Sequence, residues 1–179
     1  MKNIFLLFLF LITSAAFASS MGLHRSVQPA KTIMLGISPE IDVKSDSQTT
    51  YFQFAAGLFD RTDLNLKYGI GTKKPYYGGH LKYHFVQSGF LNFATKAGVH
   101  YRGGVILDFF PIFIHKFEKC SVSLSPEFEW QITGNKQLMI DISLGITIPM
   151  PRSMELSVSL DLPVKNQSYS LSTGLAIYL

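Results

Sequence analysis

The chain has 179 residues, of which 47% are hydrophobic and only 16% charged, and its formal net charge is +4. Soluble domains carry about 25% charged residues, and a net charge this small, without a basic run, gives no indication of a nucleic-acid partner. The length suits one domain. After the amino terminus no apolar run approaches the ~20 residues of a transmembrane helix. A chain that is apolar overall but lacks such runs is typical of strands in which apolar and polar residues alternate.

The first eighteen residues have the three parts of a secretory signal peptide. Lys2 supplies the positive start, Ile4–Ile12 the apolar core, and Ala16–Ala18 a small-x-small cleavage site. We predict cleavage between Ala18 and Ser19, followed by a short polar lead-in over residues 19–31. An uncleaved anchor is the alternative, but this apolar core is too short to span a bilayer.

From residue 32 onward, apolar and polar residues alternate in about ten segments. Each is close to the ~9–11 residues with which a tilted strand crosses a membrane, and turn-forming residues separate most of them. An even number of strands puts both termini on one side, and eight strands are the alternative to ten. The predicted strands are Thr32–Val43, Tyr51–Phe59, Asp63–Ile70, Tyr76–Val86, Phe90–Tyr101, Val105–Ile114, Cys120–Gln131, Gln137–Ile148, Met154–Leu162 and Tyr169–Leu179.

The two faces of these segments differ in chemistry. In the eighth segment the aliphatic residues from Leu138 to Ile148 share one face, whereas Gln137, Asp141 and Ser143 share the other. The sixth segment departs from this rule because both of its faces are apolar. Its Pro111 has no N–H to donate to a neighbouring strand, which predicts a β-bulge there.

The composition of the faces predicts that the apolar side contacts lipid. Large aliphatic and aromatic side chains occupy it on nearly every segment, whereas Ser, Gly, Thr and Asn on the polar face suit a crowded interior. We therefore predict an all-β fold: residues 32–179 form a closed antiparallel transmembrane β-barrel with meander topology and short turns. A soluble secreted barrel that binds an apolar ligand is the alternative. Aromatic residues near the strand ends fit interface girdles: Tyr76, Tyr77, Tyr83, Phe85, Phe90 and Tyr101.

The final strand carries a second indication. It alternates up to the last residue of the sequence, and its free edge would invite aggregation, so we expect it to pair with the first strand and close the barrel. Its end carries Ser172, Gly174, Ile177 and Leu179 at the spacing polar-x-Gly-x-x-apolar-x-apolar. This pattern resembles the carboxyl-terminal signal by which Gram-negative bacteria recognise outer-membrane β-barrel proteins, although most members of that class end in Phe rather than Leu.

A further resemblance lies in the hairpin Ala56–Gly71, a strand, a tight polar turn and a strand. It is similar to the hairpin repeated in many small outer-membrane barrels. The two resemblances imply an outer-membrane location but no specific activity. They also imply the partners of such a protein: phospholipid and lipopolysaccharide of the outer membrane, and the barrel-assembly machinery and periplasmic chaperones during biogenesis.

Charged residues on the polar face fall into two groups that we expect to face each other across the lumen. Like charges on neighbouring strands destabilise a sheet, so each group needs the other for compensation. Such a lumen forms either an ion-paired plug or a narrow conduit for small ions. The plug is favoured because small barrels fill their interiors with side chains. The basic wall is Lys67, His80, Lys82 and Lys96, and the acidic wall is Asp108, Glu127, Asp141 and Asp161.

The hairpin turns also predict a register for these charges, because an antiparallel turn determines which residues lie opposite one another. The predicted neighbours are His80 with Lys96, Lys67 with His80, Glu127 with Asp141, Asp141 with Asp161, and Asp108 with Glu127.

Metal-binding and catalytic residues are not expected. His80, His84 and His100 point inward, but about 13 Å separates the first two along one strand, and His100 pairs near Tyr76. Zinc ligands must lie ~2 Å from one ion, so neither a metal site nor a cofactor is predicted. Some small outer-membrane barrels are lipid-modifying enzymes, and that function is kept as an alternative. However, no Ser-His-acid grouping accompanies His100 near the predicted outer rim.

Overall fold

The computed structural model describes residues 32–71, 75–134, 136–164 and 169–179, where ten antiparallel strands form a closed barrel. Each strand pairs with the next in sequence, and β10 pairs with β1, so the predicted fold class, strand count and meander order are confirmed. The predicted signal peptide and lead-in lie outside the described residues. The strands are β1 (Ile33–Asp42), β2 (Ser47–Phe59), β3 (Thr62–Gly71), β4 (Tyr76–Gln87), β5 (Leu91–Tyr101), β6 (Val105–Lys116), β7 (Ser121–Gln131), β8 (Gln137–Met150), β9 (Met154–Pro163) and β10 (Ser170–Tyr178).

The barrel closes along the seam that the alternation of the last strand predicted. Met34 lies opposite Tyr178 and Asp42 opposite Ser170, so β1 and β10 are antiparallel over most of their length. Closure satisfies the backbone groups that a free edge would leave unpaired. We call the end of the barrel that carries Ile33 and Tyr178 the terminal end, and the opposite end the far end. None of the described residues belongs to a helix long and apolar enough to cross a membrane.

The alternation places apolar side chains outside and polar side chains inside. In β8, Leu144 and Ile146 point outward, whereas Ser143 and Thr147 are buried in the lumen. Most of the other strands show the same division, although the inner face of β6 also carries Phe110, Ile112 and Ile114. Large apolar residues cover the outer surface of every strand. Monomeric soluble proteins rarely expose a contiguous apolar surface larger than a few hundred Å². The outer surface is therefore suited to hydrocarbon, as the composition of the faces predicted.

Two groups of outward aromatic rings lie near the two ends of this apolar surface. At the far end Tyr77 lies between Tyr68 and Tyr101, with ring centroids 5.3 and 6.5 Å away. Near the terminal end Phe85 and Phe93 stack with centroids 5.5 Å apart. Aromatic girdles of this kind mark the membrane interfaces of outer-membrane barrels.

Tyr76 was predicted to belong to a girdle, and that prediction is wrong. Its ring is buried in the lumen, where it meets the ring of Tyr51 edge-on at 5.3 Å and stacks on His100 at 4.6 Å. Consecutive residues of a strand point to opposite faces. Because Tyr77 faces outward, Tyr76 has to face inward.

The predicted bulge at Pro111 is also wrong. Phe109 lies opposite Phe128 and Phe113 opposite Leu124, so the register of β6 and β7 is the same on both sides of the proline. This register puts Pro111 level with Pro126 of β7. Since neither residue has an N–H, backbone hydrogen bonds between β6 and β7 are missing at this level. No extra residue is inserted in either strand, so there is no bulge. The register shifts instead lie at Gly57/Phe59 in β2 and at His84/Val86 in β4.

Of the predicted lumen neighbours, Glu127 and Asp141 are confirmed as a directly opposed pair. The other predicted pairs are displaced by two residues, because their turns close at different positions from those assumed. A displacement of one would have turned the polar face of a strand toward lipid. The observed partners are Lys82 for Lys96, Gly78 for Lys67, Asn65 for His80, Glu129 for Asp108, and Ser143 for Asp161.

Glycines make room in the lumen for large side chains from neighbouring strands. Gly69 lies opposite Tyr51, and a Cβ atom at Gly69 would come 2.5 Å from Cε1 of that buried ring. The Tyr51 side chain is fully buried, with the Tyr76 ring edge-on at 5.3 Å and Nζ of Lys67 3.7 Å from its ring centroid. The interior of the barrel therefore depends on the missing side chain at this position.

We expect Gly69→Ala to lower the free energy of unfolding by about 1–3 kcal/mol, the usual cost of overpacking a filled interior. Urea unfolding of the protein in detergent micelles measures it. Gly89→Ala is the matched control: a Cβ there meets nothing within 4 Å, so a change within about 0.5 kcal/mol is expected. Equal effects of the two substitutions would contradict the packing of Tyr51 on Gly69.

Candidate functional site

The lumen contains the charged residues on which the functional predictions depend. The side chains of the basic wall are buried there, as are three residues of the acidic wall, while Asp141 is half-buried. The structure also buries ionisable residues outside the two predicted walls: Glu40, Asp42, Asp63, His84, His100 and Glu155. The sequence predicted that His84 and His100 point inward, and the alternation of the strands could also have identified the four carboxylates.

Asp63 is the acceptor of the first ion-paired cluster. It begins β3 and lies directly opposite Lys82 of β4. Its Oδ2 atom is 3.0 Å from Nζ of Lys82 and 3.1 Å from Nε2 of His84. Lys82 and His84 reach the same carboxylate because they are two residues apart on one strand and both point inward. This cluster, which we call the Asp63 cluster, lies nearer the terminal end.

Asp108 is the acceptor of the second cluster. Its Oδ2 atom is 2.6 Å from Nε2 of His80 and 2.8 Å from Nδ1 of His100. His80, Gly98 and Asp108 lie in one row across β4, β5 and β6, so Gly98 leaves the space above it to the His80 and Asp108 side chains. His100 follows two residues later on β5. We call these three residues the Asp108 cluster.

The Asp108 cluster corrects the prediction that the three inward histidines stay apart. Separation holds for His80 and His84, which contact different carboxylates. It fails for His80 and His100, which meet at one oxygen atom. The register assumed from the sequence placed Lys96, not Gly98, opposite His80, and so filled the space in which the two imidazoles meet.

At the far end an ion pair crosses the barrel. Nη2 of Arg102, in the turn between β5 and β6, donates to Oε1 of Glu40 on β1 at 3.3 Å. Four strand-to-strand steps separate β1 from β5 in a ring of ten, so the two residues come from nearly opposite walls. Burial acts to lower the pKa of the Arg102 guanidinium, but the acidic groups around it, Glu40 among them, raise it above its ordinary value. The Arg102 guanidinium is therefore positively charged where it donates to Glu40.

Two lysines of the basic wall lie against aromatic rings. Nζ of Lys67 is 3.7 Å from the centroid of Tyr51, and Nζ of Lys96 is 4.6 Å from that of Phe110. A desolvated cation over an aromatic face gains about 2 kcal/mol or more. The aromatic rings therefore stabilise part of the buried positive charge.

Apolar side chains occupy much of the lumen near the terminal end. One cluster packs Phe110, Ile112 and Ile114 of β6 against Ala94 of β5. A second joins Met34, Ala55, Ala176 and Tyr178 at the seam. The apolar inner face of the sixth strand, an exception to the predicted alternation, thus forms part of this apolar filling.

Among the described residues, the two predicted walls meet where His80 contacts Asp108. Lys82 pairs with Asp63, a residue that neither wall included. Pairing of the remaining lysines with Glu127, Asp141 and Asp161 stays a prediction. So does the role of the carboxyl-terminal signal, in which Ser172 faces inward and Ile177 outward.

A closed antiparallel barrel of ten strands with an apolar exterior defines the class of the protein: it is a transmembrane β-barrel. Neither a protein-family model nor a curated protein matches the sequence. Solved structures do match the fold, and they include outer-membrane barrels.

One similar structure is an outer-membrane channel from Pseudomonas putida F1, with a TM-score of 0.57 and 10% sequence identity, covering 90% of this chain and all of that one. The amino-terminal β-barrel domain of OprF from Pseudomonas aeruginosa matches with a TM-score of 0.44 and 14% identity, covering 85% of this chain and all of that one. The fold shared with the Pseudomonas putida channel is that of an outer-membrane β-barrel, as the sequence predicted.

Proposed function

We propose that the chain is an integral outer-membrane protein whose lumen is closed by its own side chains, so that its role is structural rather than that of an open pore. One observation carries the proposal. The inward lysines Lys67, Lys82 and Lys96 are only 8%, 3% and 4% exposed, whereas a water-filled pore would hydrate such side chains. Small barrels fill their interiors in this way.

The ion-paired groups fit this role because buried charges must be compensated. Removing one partner of a buried pair leaves an uncompensated charge at a cost of several kcal/mol. The Asp63 cluster, the Asp108 cluster and the Arg102–Glu40 pair join residues of β1, β3, β4, β5 and β6 and of the turn between β5 and β6. In this proposal they hold the inner walls together, and the apolar residues near the terminal end complete the closure.

The proposal includes a route to the membrane. Removal of the signal peptide near Ala18, passage with periplasmic chaperones and insertion by the barrel-assembly machinery would bring the protein into contact with phospholipid and lipopolysaccharide. The protein would have no enzymatic activity. Lipid A mass profiles should therefore be the same with and without expression, and a new lipid A species that depends on the protein would contradict this.

Planar-bilayer conductance tests the closed lumen. We expect no discrete conductance steps from the wild type, from Arg102→Ala or from the control Arg61→Ala, which alters an exposed turn residue. The apolar clusters should keep the lumen closed even when the far-end ion pair is lost. Heat-modifiable migration on a detergent gel would verify that each variant is folded. Steps from the folded wild type would refute the proposal.

A narrow channel is the second candidate function. The observation in its favour is the succession of charged groups from Glu40 and Arg102 at the far end, through the Asp108 cluster, to the Asp63 cluster. The Pseudomonas putida protein with the same fold is named a channel. In this alternative the Arg102–Glu40 pair acts as a gate, so conductance steps would appear in Arg102→Ala and Glu40→Ala but not in the wild type or Arg61→Ala.

A further inference from the structure

We infer that His80, His100 and Asp108 form a binding site for one divalent transition-metal ion of the zinc class, buried in the lumen between β4, β5 and β6. The site goes beyond the structural role proposed above, which does not require a metal. It would add a coordination centre joining three neighbouring strands.

The first argument for a metal site is the chemical type and the spacing of the three candidate ligands. Two imidazoles and one carboxylate are a donor set found in catalytic zinc and non-haem iron sites. The candidate ligand atoms of the three residues all lie within 4.8 Å of one another, and all three residues are buried. For metal–ligand bonds of ~2.1 Å, ligand atoms around a tetrahedral ion lie about 3.4 Å apart. The observed separations of 2.6 and 2.8 Å between Oδ2 and the two nitrogen atoms would have to widen by less than about 1 Å.

The hydrogen bonding of Asp108 provides the second step. Both imidazoles converge on Oδ2, while Oδ1 is buried without a hydrogen-bond partner among the described residues. A buried unsatisfied polar atom costs about 1–3 kcal/mol, and more when it is charged. A purely hydrogen-bonded cluster would be better satisfied with one imidazole on each oxygen. Convergence of two nitrogen atoms on one carboxylate oxygen brings three candidate ligand atoms within 4.8 Å of one another, close enough for one ion to bind all three after a small rearrangement.

The surroundings hold the ligands in place. A Cβ atom at Gly98 would come 2.7 Å from Cδ2 of His80 and 2.2 Å from the carbonyl oxygen of Gly79, so the row is open only because Gly98 has no side chain. Tyr76 stacks on the His100 ring at 4.6 Å, and Phe110 lies 5.9 Å from the His80 ring. Packing of this kind fixes the ring orientation of metal-ligating histidines.

The charge around the site suits one divalent ion. Glu129 of β7 lies directly opposite Asp108, so its carboxylate would add a second negative charge beside the three ligand residues. Two carboxylates and two neutral imidazoles balance a charge of +2. Lys96 lies one row nearer the terminal end, opposite Phe110, so its charge weakens the site without occupying it.

Metal titration of the untagged protein tests the inference. The protein is folded in detergent micelles without metal, and Zn²⁺ binding is followed by calorimetry. The visible absorption of Co²⁺ serves as a spectroscopic probe of the coordination. We expect saturable one-to-one binding by the wild type, and at least about 10–100-fold weaker binding by His100→Ala and Asp108→Asn, since loss of even an outer-shell partner has such an effect. Because the site is buried, the same measurements are repeated on protein refolded with each ion present.

His115→Ala is the matched control, because His115 is exposed and lies outside the lumen clusters. It should bind Zn²⁺ as tightly as the wild type. If the ligand variants do not fold, X-ray absorption of the wild type with zinc provides an independent readout, which should show two imidazoles and at least one carboxylate oxygen. Absence of saturable binding by the wild type, or equal weakening by His115→Ala, would overturn the inference and leave the three residues as a hydrogen-bonded cluster.

Discussion

Replacing Asp63 by alanine should lower the free energy of unfolding of the barrel by about 3–5 kcal/mol, the usual result of removing one partner of a buried ion pair. The carboxylate is inaccessible to solvent, and its Oδ2 atom contacts both Nζ of Lys82 and Nε2 of His84. The substitution removes the carboxylate that compensates the positive charge of the buried Lys82 side chain. Urea unfolding in lipid vesicles, followed by tryptophan fluorescence, measures the change.

Two further variants make this result specific. Asp60→Ala, in the exposed turn before β3, should change stability by less than about 0.5 kcal/mol. The double variant Asp63→Asn with Lys82→Met should be less destabilised than the sum of the two single variants, because it removes the cation together with its carboxylate. An effect of Asp63→Ala as small as that of Asp60→Ala would mean that the lumen is hydrated. It would contradict the proposal that side chains close the lumen.

Substituting an outward residue at mid-membrane should have the second largest effect. Leu144 lies near the middle of β8, and its partners Leu124 and Leu160 are aligned with it on the neighbouring strands. An arginine at mid-membrane on the lipid face costs about 2–4 kcal/mol. We therefore expect Leu144→Arg to be destabilised by that amount, measured by reversible unfolding in phospholipid vesicles.

Depth along the same strand provides the control. Leu138 also faces outward but lies near the start of β8, where the cost of an arginine falls to about 0–1 kcal/mol. A soluble barrel would tolerate an arginine equally well at both exposed positions. Equal, small effects of Leu144→Arg and Leu138→Arg, together with folding in water without detergent, would show that the outer surface does not face lipid.

The architecture could be predicted from the sequence because alternation is a local property. Which residues share a face of a strand depends only on whether their positions are odd or even, so the apolar exterior and the polar lumen could be predicted. The bounds of nine of the ten strands were predicted to within two residues at each end. The exception, β2, begins at Ser47 rather than Tyr51, because the polar run Ser47–Thr50 has no apolar residue to mark a strand but pairs with β1. Parity likewise identified every residue of the two charge walls as facing inward.

The contacts within the lumen could not be predicted in the same way, because they depend on register. A turn that is centred one residue later along the chain shifts each residue's partner on the next strand by two positions. A β-bulge, such as the register shift at His84/Val86, also changes the pairing, and nothing in the sequence marks it. The pairing of Glu127 with Asp141 was predicted correctly because the centre of the turn between β7 and β8 was predicted correctly. The pairing of Asp63 with Lys82 was missed.

The sequence by itself thus determined which side chains face lipid and which face the lumen, since the two-residue period of a strand is written in the order of the residues. Only the tertiary structure decided which of the inward groups touch. The meeting of His80 and His100 at Asp108 needs three strands in one register and an empty position at Gly98 between them. Curvature of the closed sheet brings residues as distant in sequence as Glu40 and Arg102 within bonding distance.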